Sequence, residues 1–215
     1  NDTLITLIVK HHFECFLCLS YTIKQNDQKI ASQKAHLIST DLLEKITKTN
    51  IELRDGIKED DCICSLIDIC CGTGSIGLSL SDRCGQVLGI DILEEAISDA
   101  NKNALSNNVT NCEFMTGSVE DSLPNLWRRV AFSEAICIID PPRAGIGPKA
   151  IQSIRKNSSI SKVIYVASDP QSAVKNFLDF ARAPSNSFKG EPFVPVKAAP
   201  VDLFPHTSNF CIIFL

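Results

Sequence analysis

Short apolar runs alternate with longer amphipathic stretches along the chain from residue 63 onward. Five of the apolar runs have the length of buried strands, and a helical pattern follows each one, which is the arrangement that builds a parallel sheet. The predicted strands are residues 63–69, 86–92, 112–115, 135–139 and 162–166. The predicted helices are residues 76–80, 94–107, 123–130, 149–156 and 173–181. The pattern therefore predicts an α/β fold.

The alternation of strand and helix patterns stops near the end of the chain. Residues 193–203 and 210–215 both have strand-like patterns, and only residues 204–209 separate them. A connection that short joins antiparallel strands, because a parallel return needs about a dozen residues or more. We therefore expect a Rossmann-like, mostly parallel sheet that ends in a C-terminal antiparallel hairpin.

The first part of the chain gives weaker signals. Residues 1–30 show no clear period and form an unassigned N-terminal segment, whereas residues 31–215 are expected to form one domain, with a helical pattern over 36–46. The apolar stretches 3–9 and 13–21 are shorter than the roughly 20 residues of a membrane-spanning helix, so no membrane span is expected. Since the chain does not begin with Met, we expect a fragment of a longer protein.

The composition is that of a globular protein of one domain, with 215 residues, 44% of them hydrophobic and 21% charged. The net charge of −4 hides an asymmetry, because residues 122–215 carry 11 Lys and Arg against 6 Asp and Glu. A basic C-terminal portion is compatible with an RNA-facing side, and an ordinary solvated surface explains it equally well. We expect a monomer.

The ten cysteines favour a reducing, intracellular compartment. Cys70, Cys71 and Cys137 lie in apolar runs, where buried thiols explain them better than disulfides. We expect the cytoplasm or the nucleus, with the mitochondrion left open. Cys15 and Cys18 have the spacing of half a zinc site, but no second pair completes four ligands, so no metal is expected.

Candidate chemistry begins at a glycine-rich turn. Gly72, Gly74 and Gly77 follow the first predicted strand, and this G-x-G-x-x-G spacing is typical of loops that let a nucleotide-like ligand approach the backbone. Asp91 ends the second predicted strand about 20 residues later, where an acidic side chain binds ribose hydroxyls. Asp140 ends the fourth. Since ligands of open parallel sheets bind at the carboxyl ends of the strands, we expect these residues to share one crevice.

Each of these features also has a purely structural explanation. Glycines occur in ordinary turns, Asp91 could cap the following helix, and Asp140 before two prolines could form a rigid turn. Their coincidence at three strand ends favours a ligand site. Two features favour S-adenosylmethionine over NAD: Asp68 precedes the glycine loop, and the sheet is predicted to end in a hairpin instead of a second βαβαβ half.

Four sequence motifs carry a resemblance to a known family. They are residues 68–77 with Asp91, Asp-Pro-Pro-Arg-Ala-Gly at 140–145, Tyr-Val-x-x-x-Pro at 165–170 and Val-Asp-Leu-Phe-Pro-His-Thr at 201–207. Together they resemble the RNA 5-methyluridine methyltransferases, in particular their animal tRNA branch, over residues 33–215. The resemblance implies a class I methyltransferase fold, S-adenosyl-L-methionine as methyl donor, a uridine in the T-loop of tRNA as substrate, and further RNA-binding domains upstream.

The resemblance also implies a set of site residues. The cofactor-binding positions are Gln33, Cys70, Gly72, Gly74, Ser75, Asp91 and Asp140, and Arg143 is a substrate position beside the target base. Gln33 is placed by spacing, because Ala31 and Ser32 stand where the family has two aromatic residues. Asp91 replaces a glutamate of the family and has a shorter reach.

Both catalytic positions depart from the family's pattern. In the family, a cysteine thiolate adds to uracil C6 so that C5 becomes nucleophilic, and a carboxylate later removes the C5 proton. The nucleophile position holds Ser168 in place of the cysteine, and the general-base position holds Cys211 in place of a glutamate. A serine hydroxyl needs an adjacent base, and Asp169, with an ordinary carboxyl pKa of about 4, is a poor one.

Three functions therefore stay open. The first is an S-adenosylmethionine-dependent tRNA (uracil-5-)-methyltransferase domain. The second is a catalytically inactive relative that binds cofactor or RNA only, and Ser168 and Cys211 favour it. The third is methylation of a nitrogen acceptor, which needs no enzyme nucleophile; it ranks last, because Arg143 stands where such enzymes carry an aromatic residue.

Overall fold

The computed structural model describes residues 64–201 and 211–215. These residues do not include the helical pattern predicted at 36–46, the site position Gln33 or the connection 204–209 of the predicted hairpin. The unassigned segment 1–30 lies outside them as well.

Seven strands and five α-helices make up the described chain. In order they are β1 (Ser65–Ile69), α1 (Ser75–Ser79), β2 (Gln86–Asp91), α2 (Glu94–Ser106), β3 (Cys112–Thr116), α3 (Val119–Trp127), β4 (Ala135–Ile139), α4 (Pro148–Lys156), β5 (Ile160–Ala167), α5 (Pro170–Ala181), β6 (Ala198–Val201) and β7 (Cys211–Phe214). A short 3-10 helix, Ser81–Arg83, follows α1. None of the helices in these described ranges is long and apolar enough to cross a bilayer.

The strands form one sheet in the order β3-β2-β1-β4-β5-β7-β6. The first five strands are parallel, which confirms the mostly parallel sheet predicted from the sequence. Strand β7 runs antiparallel to both β5 and β6, and the residues that join β6 to β7 lie outside the described part. Strand β1 has β2 on one side and β4 on the other, so the chain changes direction across the sheet at β1, where a ligand crevice is expected.

The sheet is buried on both faces, as a parallel sheet with helices on both sides requires. All five residues of β1 are buried. One core cluster joins the sheet to α3, α4 and α5 through residues such as Leu126, Ile151 and Phe180. A second cluster packs α2 onto the other face through Ala100 and Phe114. Burial of these apolar positions fixes the strand ends that carry the candidate site.

Three predicted boundaries were wrong, each for a local reason. Helix α3 begins at Val119 instead of residue 123, because the hydroxyl of Ser118 accepts a hydrogen bond from the Asp121 amide and caps the helix. Helix α5 begins at Pro170 instead of residue 173, because Asp169 caps it. The strand predicted from residue 193 begins instead at Ala198, since Phe193 packs edge-to-face on Phe180.

The polar segment 182–192 packs against α4 through one buried charge. The Arg155 side chain donates hydrogen bonds to the carbonyl oxygens of Asp179, Gly190 and Glu191, at 2.7, 2.7 and 3.0 Å. Because carbonyl oxygens satisfy its donors, the buried guanidinium is tolerated here.

Candidate functional site

The glycine loop turns sharply over the carboxyl end of β1. Cys70, Gly72 and Gly74 adopt left-handed backbone angles, with φ of 63°, 54° and 77°. A Cβ at Gly72 would enter open space, whereas one at Gly74 would lie 2.8 Å from the Phe114 ring. Gly72 therefore leaves the crevice open, and Gly74 permits close packing of the loop on β3.

Asp91 connects this loop to the end of β2. One carboxylate oxygen, Oδ2, accepts a hydrogen bond from the Gly72 amide, and Oδ1 accepts one from the Leu93 amide, both at 2.9 Å. The structural explanation of Asp91 is therefore partly correct, since it orders the turn before α2. Each oxygen keeps a second lone pair, so the half-buried carboxylate can also accept from a ligand hydroxyl.

Asp68 lies completely buried beneath the loop. Its Oδ2 accepts a hydrogen bond from the Gly77 amide at 2.9 Å, and its Oδ1 has no hydrogen-bond partner among the residues that the structure describes. Burial raises the pKa of this carboxyl to about 7, opposed by the Gly77 hydrogen bond and assisted by the charges of Asp140 and Asp91.

Asp140 faces the same crevice from the end of β4. Its amide donates to the Ile69 carbonyl at 3.2 Å, which holds the ends of β4 and β1 together. Burial raises the pKa of the Asp140 carboxyl to about 6. The structure thus brings together three of the acidic residues considered from sequence, since the charges of Asp140 and Asp91 both raise the pKa of Asp68.

Cys70 and Ser75 occupy the two ends of the loop. Burial, followed by the charges of Asp91 and Asp140, raises the pKa of the Cys70 thiol to about 12, so it is neutral at physiological pH. Ser75 is half-buried at the first turn of α1, and its carbonyl accepts a hydrogen bond from the Ser79 hydroxyl at 2.6 Å. The Cys70 side chain therefore borders the crevice as a neutral thiol and is not a thiolate nucleophile.

The segment from Asp140 to Gly147 is held by residues that the sequence reasoning missed. Asn176 of α5 exchanges hydrogen bonds with the backbone of Ile146, and Glu120 of α3 accepts from the Gly147 amide at 3.0 Å. A sequence signal existed for Asn176, because it is a polar residue on the buried face of an amphipathic helix. Glu120 gave none, since first-turn acidic residues are common in helices.

The predicted catalytic positions lie at the neighbouring strand ends. Ser168 is half-buried and directly follows β5, and Arg143 is exposed in the loop after β4. Cys211 begins β7 and pairs with Val201 of β6. These three positions therefore follow or border adjacent strands at one end of the sheet, and Gln33 lies outside the described residues.

Asp169 is engaged as a helix cap. Its Oδ2 accepts a hydrogen bond from the Ser172 hydroxyl at 2.6 Å, and its Oδ1 accepts from the Gln171 amide at 3.1 Å. The hydrogen bond from the Ser172 hydroxyl lowers the pKa of Asp169. The backbone amides of Ser172 and Gln171 and the charge of Arg143 lower it further by smaller amounts. A lowered pKa makes Asp169 a weaker base for the Ser168 hydroxyl.

Within 64–201 and 211–215, no group of three His, Cys, Asp or Glu side chains could hold a metal ion.

Comparison with known proteins assigns this architecture. A family model described as a methyltransferase domain matches residues 61–184. The tRNA (uracil-5-)-methyltransferase homolog A of Mus musculus is 47% identical over 145 residues, which are 67% of this chain and 24% of that protein. Homolog B of Homo sapiens is 42% identical over 154 residues, 70% of this chain and 31% of that protein. The resemblance inferred from the motifs is confirmed, and the chain spans less than a third of these relatives.

Solved structures agree. The tRNA (uracil-54, C5)-methyltransferase of Pyrococcus abyssi, in complex with S-adenosyl-L-homocysteine, has a TM-score of 0.55 and 25% identity, covering 82% of this chain and 37% of that one. An rRNA methylase from Streptococcus thermophilus shares the fold, with a TM-score of 0.50, 17% identity and coverage of 72% and 87%. The predicted class I methyltransferase fold is confirmed. Because the family model matches more than half of its residues, the chain belongs to the methyltransferase domain family.

Proposed function

We propose that the crevice at the ends of β1, β2 and β4 binds S-adenosylmethionine. The observation that carries this assignment is its acidic character, given by Asp68, Asp91 and Asp140. S-adenosylmethionine brings a sulfonium and an ammonium group, whereas NAD brings an anionic pyrophosphate. Carboxyl groups in a partly buried crevice attract the former and repel the latter, since charge interactions strengthen away from water.

The residues present fit this cofactor. Gly72 leaves open space at the loop, and Asp91 keeps lone pairs free for ribose hydroxyls. The buried Oδ1 of Asp68 has no partner in the described chain, so a donor or a cation nearby would stabilise it. When bound, S-adenosylmethionine supplies an electrophilic methyl group. Asp68 and Asp140 would then keep the crevice negative, and their pKa values would fall toward those of ordinary carboxyls.

We also propose that residues 31–215 act as the methyltransferase domain of a tRNA (uracil-5-)-methyltransferase, directed at the T-loop uridine. Support comes from the names of the relatives and from adjacent strands: β4 leads to Arg143, β5 leads to Ser168, and the two strands pair. A base entering between these strand ends would meet both positions. Such a protein works inside the cell, and we place it in the cytoplasm or the nucleus.

Calorimetry with S-adenosylmethionine and S-adenosylhomocysteine tests the cofactor assignment. We expect saturable binding of both and none of NAD. Asp91→Asn keeps one carbonyl oxygen for a backbone amide but removes the charge, and it should weaken binding by roughly 10- to 100-fold, the value of hydrogen bonds to a charged group. Asp99→Asn, an equal charge change at a side chain of α2 that is 48% exposed, is the matched control. Absence of heat with the unaltered chain contradicts the proposal.

A second candidate function, binding without turnover, is favoured by the state of Asp169. Its two oxygens serve the cap of α5, and its pKa is lowered, so it does not activate the hydroxyl of Ser168. Among the described residues, no hydrogen bond links Ser168 to a base. We therefore expect the unaltered chain to bind cofactor and to form no 5-methyluridine on unmodified tRNA.

Restoration of the family's residues tests this second candidate. With Ser168→Cys alone, a thiolate could add to uracil C6, and C5 of the adduct could then accept the methyl group and release S-adenosylhomocysteine. No carboxylate would remove the C5 proton. We expect a stalled protein–RNA adduct that survives denaturing electrophoresis. With Ser168→Cys and Cys211→Glu together, we expect turnover and released 5-methyluridine. Methylation by the unaltered chain would show that Ser168 and Cys211 suffice and would remove this candidate.

A further inference from the structure

A second concave surface lies on the helical face of the sheet, away from the acidic crevice. It is an open groove of about 460 Å³ between the end of α3 and helix α4. Its lining includes two aromatic residues, two lysines and small polar residues: Trp127, Phe132, Lys149, Ser153, Lys156 and Asn157. We call this surface the basic groove.

Hydrogen bonds and packing contacts order the aromatic side of the basic groove. The Trp127 indole donates a hydrogen bond to the Ser153 hydroxyl at 2.8 Å, which fixes its half-buried ring against α4. Phe132 packs directly over Gly85, where a Cβ would clash with the ring. Gln86 orders the connection before Phe132 by accepting from the Ala131 amide and donating to the Arg129 carbonyl, both at 2.9 Å. Two aromatic surfaces are thus held in place.

The charge of the basic groove has one sign. Lys149 and Lys156 are exposed and stand seven residues apart on α4, with Ser153 between them, so the three share one face of the helix. Seven residues of helix place the two lysines about 10 Å apart along the axis. Among the residues that the structure describes, no Asp or Glu lines the groove. This local charge agrees with the excess of 11 basic over 6 acidic residues in 122–215.

Fixed aromatic surfaces beside regularly placed cations are the features with which proteins bind single-stranded nucleic acid, by stacking bases and tracking phosphates. We propose that the basic groove binds RNA that flanks the target nucleotide, with Lys149 and Lys156 on phosphates and Trp127 beside a base. This inference rests on the proposed function for its choice of RNA. Helix α4 begins directly after Gly147, so Lys149, in the first turn of that helix, is the lining residue nearest in sequence to the loop that follows Asp140.

Titration of the unaltered chain with an unmodified tRNA transcript tests the proposal. Trp127 is the only tryptophan in the sequence, so its fluorescence reports on this groove alone. We expect tRNA to quench or shift that fluorescence at the concentrations at which a filter-binding assay detects the complex.

A pair of charge variants supplies the second measurement. Lys149→Gln with Lys156→Gln should lower the slope of log Kd against log salt by about 1.5 and raise Kd about 30-fold at about 0.1 M salt, because each phosphate contact contributes a slope of roughly 0.7 to 0.9. The matched control, Arg83→Gln with Lys102→Gln, removes the same charge from surface sites beside Asp82 and Asp99 and should change neither value. Both variants should bind S-adenosylhomocysteine as the unaltered chain does.

The outcomes separate this inference from the proposed function. If tRNA binds but Trp127 fluorescence and the salt slope of the lysine variant stay unchanged, the groove does not contact RNA, and the proposed function stands. An equal loss of tRNA affinity in the control variant also overturns the proposal that the groove binds RNA, because it indicates a general effect of net charge. If the unaltered chain binds cofactor but no tRNA, both the groove and the tRNA assignment fail.

Discussion

The side-chain amide of Asn176 forms hydrogen bonds with both backbone polar groups of Ile146, 30 residues earlier in the chain. Its Nδ2 donates to the Ile146 carbonyl and its Oδ1 accepts from the Ile146 amide, each at 2.9 Å. The Tyr165 hydroxyl donates to the same Oδ1 at 2.8 Å. Gly145, at φ 72°, leaves no room for a Cβ beside Asn176. Helix α5 thereby fixes the segment that carries Asp140 and Arg143.

Replacement of this amide should destabilise the protein more than an ordinary surface change. Asn176→Ala leaves two backbone groups and the Tyr165 hydroxyl unpaired in the interior, and we expect a loss of about 3 kcal/mol in the free energy of unfolding. Tyr165→Phe removes a single hydroxyl and should cost about 1 kcal/mol. Urea denaturation measures both, and hydrogen exchange should quicken at residues 145–147 in the first variant.

The control for this pair is Asn101→Ala. Asn101 lies exposed on α2, and within the described part of the chain its side chain donates only to the Ile97 carbonyl of its own helix. The change should therefore stay within about 0.5 kcal/mol. Equal losses in Asn176→Ala and Asn101→Ala would contradict the anchoring role of Asn176.

The sequence predicted the elements of the parallel sheet because each has a simple signal. Buried parallel strands are continuous apolar runs, and their helices repeat apolar positions every three or four residues. Boundaries were less predictable, since Ser118 and Asp169 extend helices α3 and α5 by capping, which depends on backbone geometry. The edge segment before β6 follows Phe193 onto Phe180, a tertiary contact that no local pattern contains.

The candidate site was also predictable in part from the sequence. Gly72, Asp91 and Asp140 stand at strand ends, and parallel topology alone brings such ends together. Asn176 and Glu120 come from helices distant in sequence, so only the packed structure reveals that they hold the loop. The chemical state of Asp68 was equally hidden, because a raised pKa comes from complete burial and from neighbours 23 and 72 residues away, Asp91 and Asp140.

Gly72 and Gly74 should respond differently to the same substitution. Both have positive φ, so alanine costs about 1 kcal/mol of backbone strain at either position. At Gly74 the new methyl also meets the Phe114 ring, and we expect Gly74→Ala to lose about 2 kcal/mol or more of stability. At Gly72 the methyl enters the open crevice, so Gly72→Ala should weaken S-adenosylhomocysteine binding at least tenfold for a smaller loss of stability.

Thermal denaturation and calorimetry on the two glycine variants together make this comparison. We expect Gly74→Ala to lose more stability than Gly72→Ala. We expect Gly72→Ala to lose more affinity for S-adenosylhomocysteine, relative to its loss of stability, than Gly74→Ala. If both variants lose binding in proportion to stability, Gly72 does not border the cofactor.

Asp68 should make the protein less stable as pH rises toward neutrality. Its pKa is raised by burial from 3.8 to about 7, so between these values the folded state holds a proton that the unfolded state releases. The free energy of unfolding then falls as pH increases from about 4 to about 7, by at most about 1.4 kcal/mol per pH unit for one group. Asp140, raised to about 6, acts in the same direction over a narrower window.

Asp68→Asn removes the charge and keeps an acceptor for the Gly77 amide, so the stability of this variant should depend less on pH. We expect the stability difference, variant minus unaltered chain, to grow by a few kcal/mol between pH 4 and pH 7 and to level off above pH 7. Urea denaturation at intervals across this range measures it, with Asp99→Asn, at a half-buried position of α2, as the control. Parallel stability curves for Asp68→Asn and the unaltered chain would mean that the Asp68 carboxyl titrates alike in both states and that burial does not hold its proton.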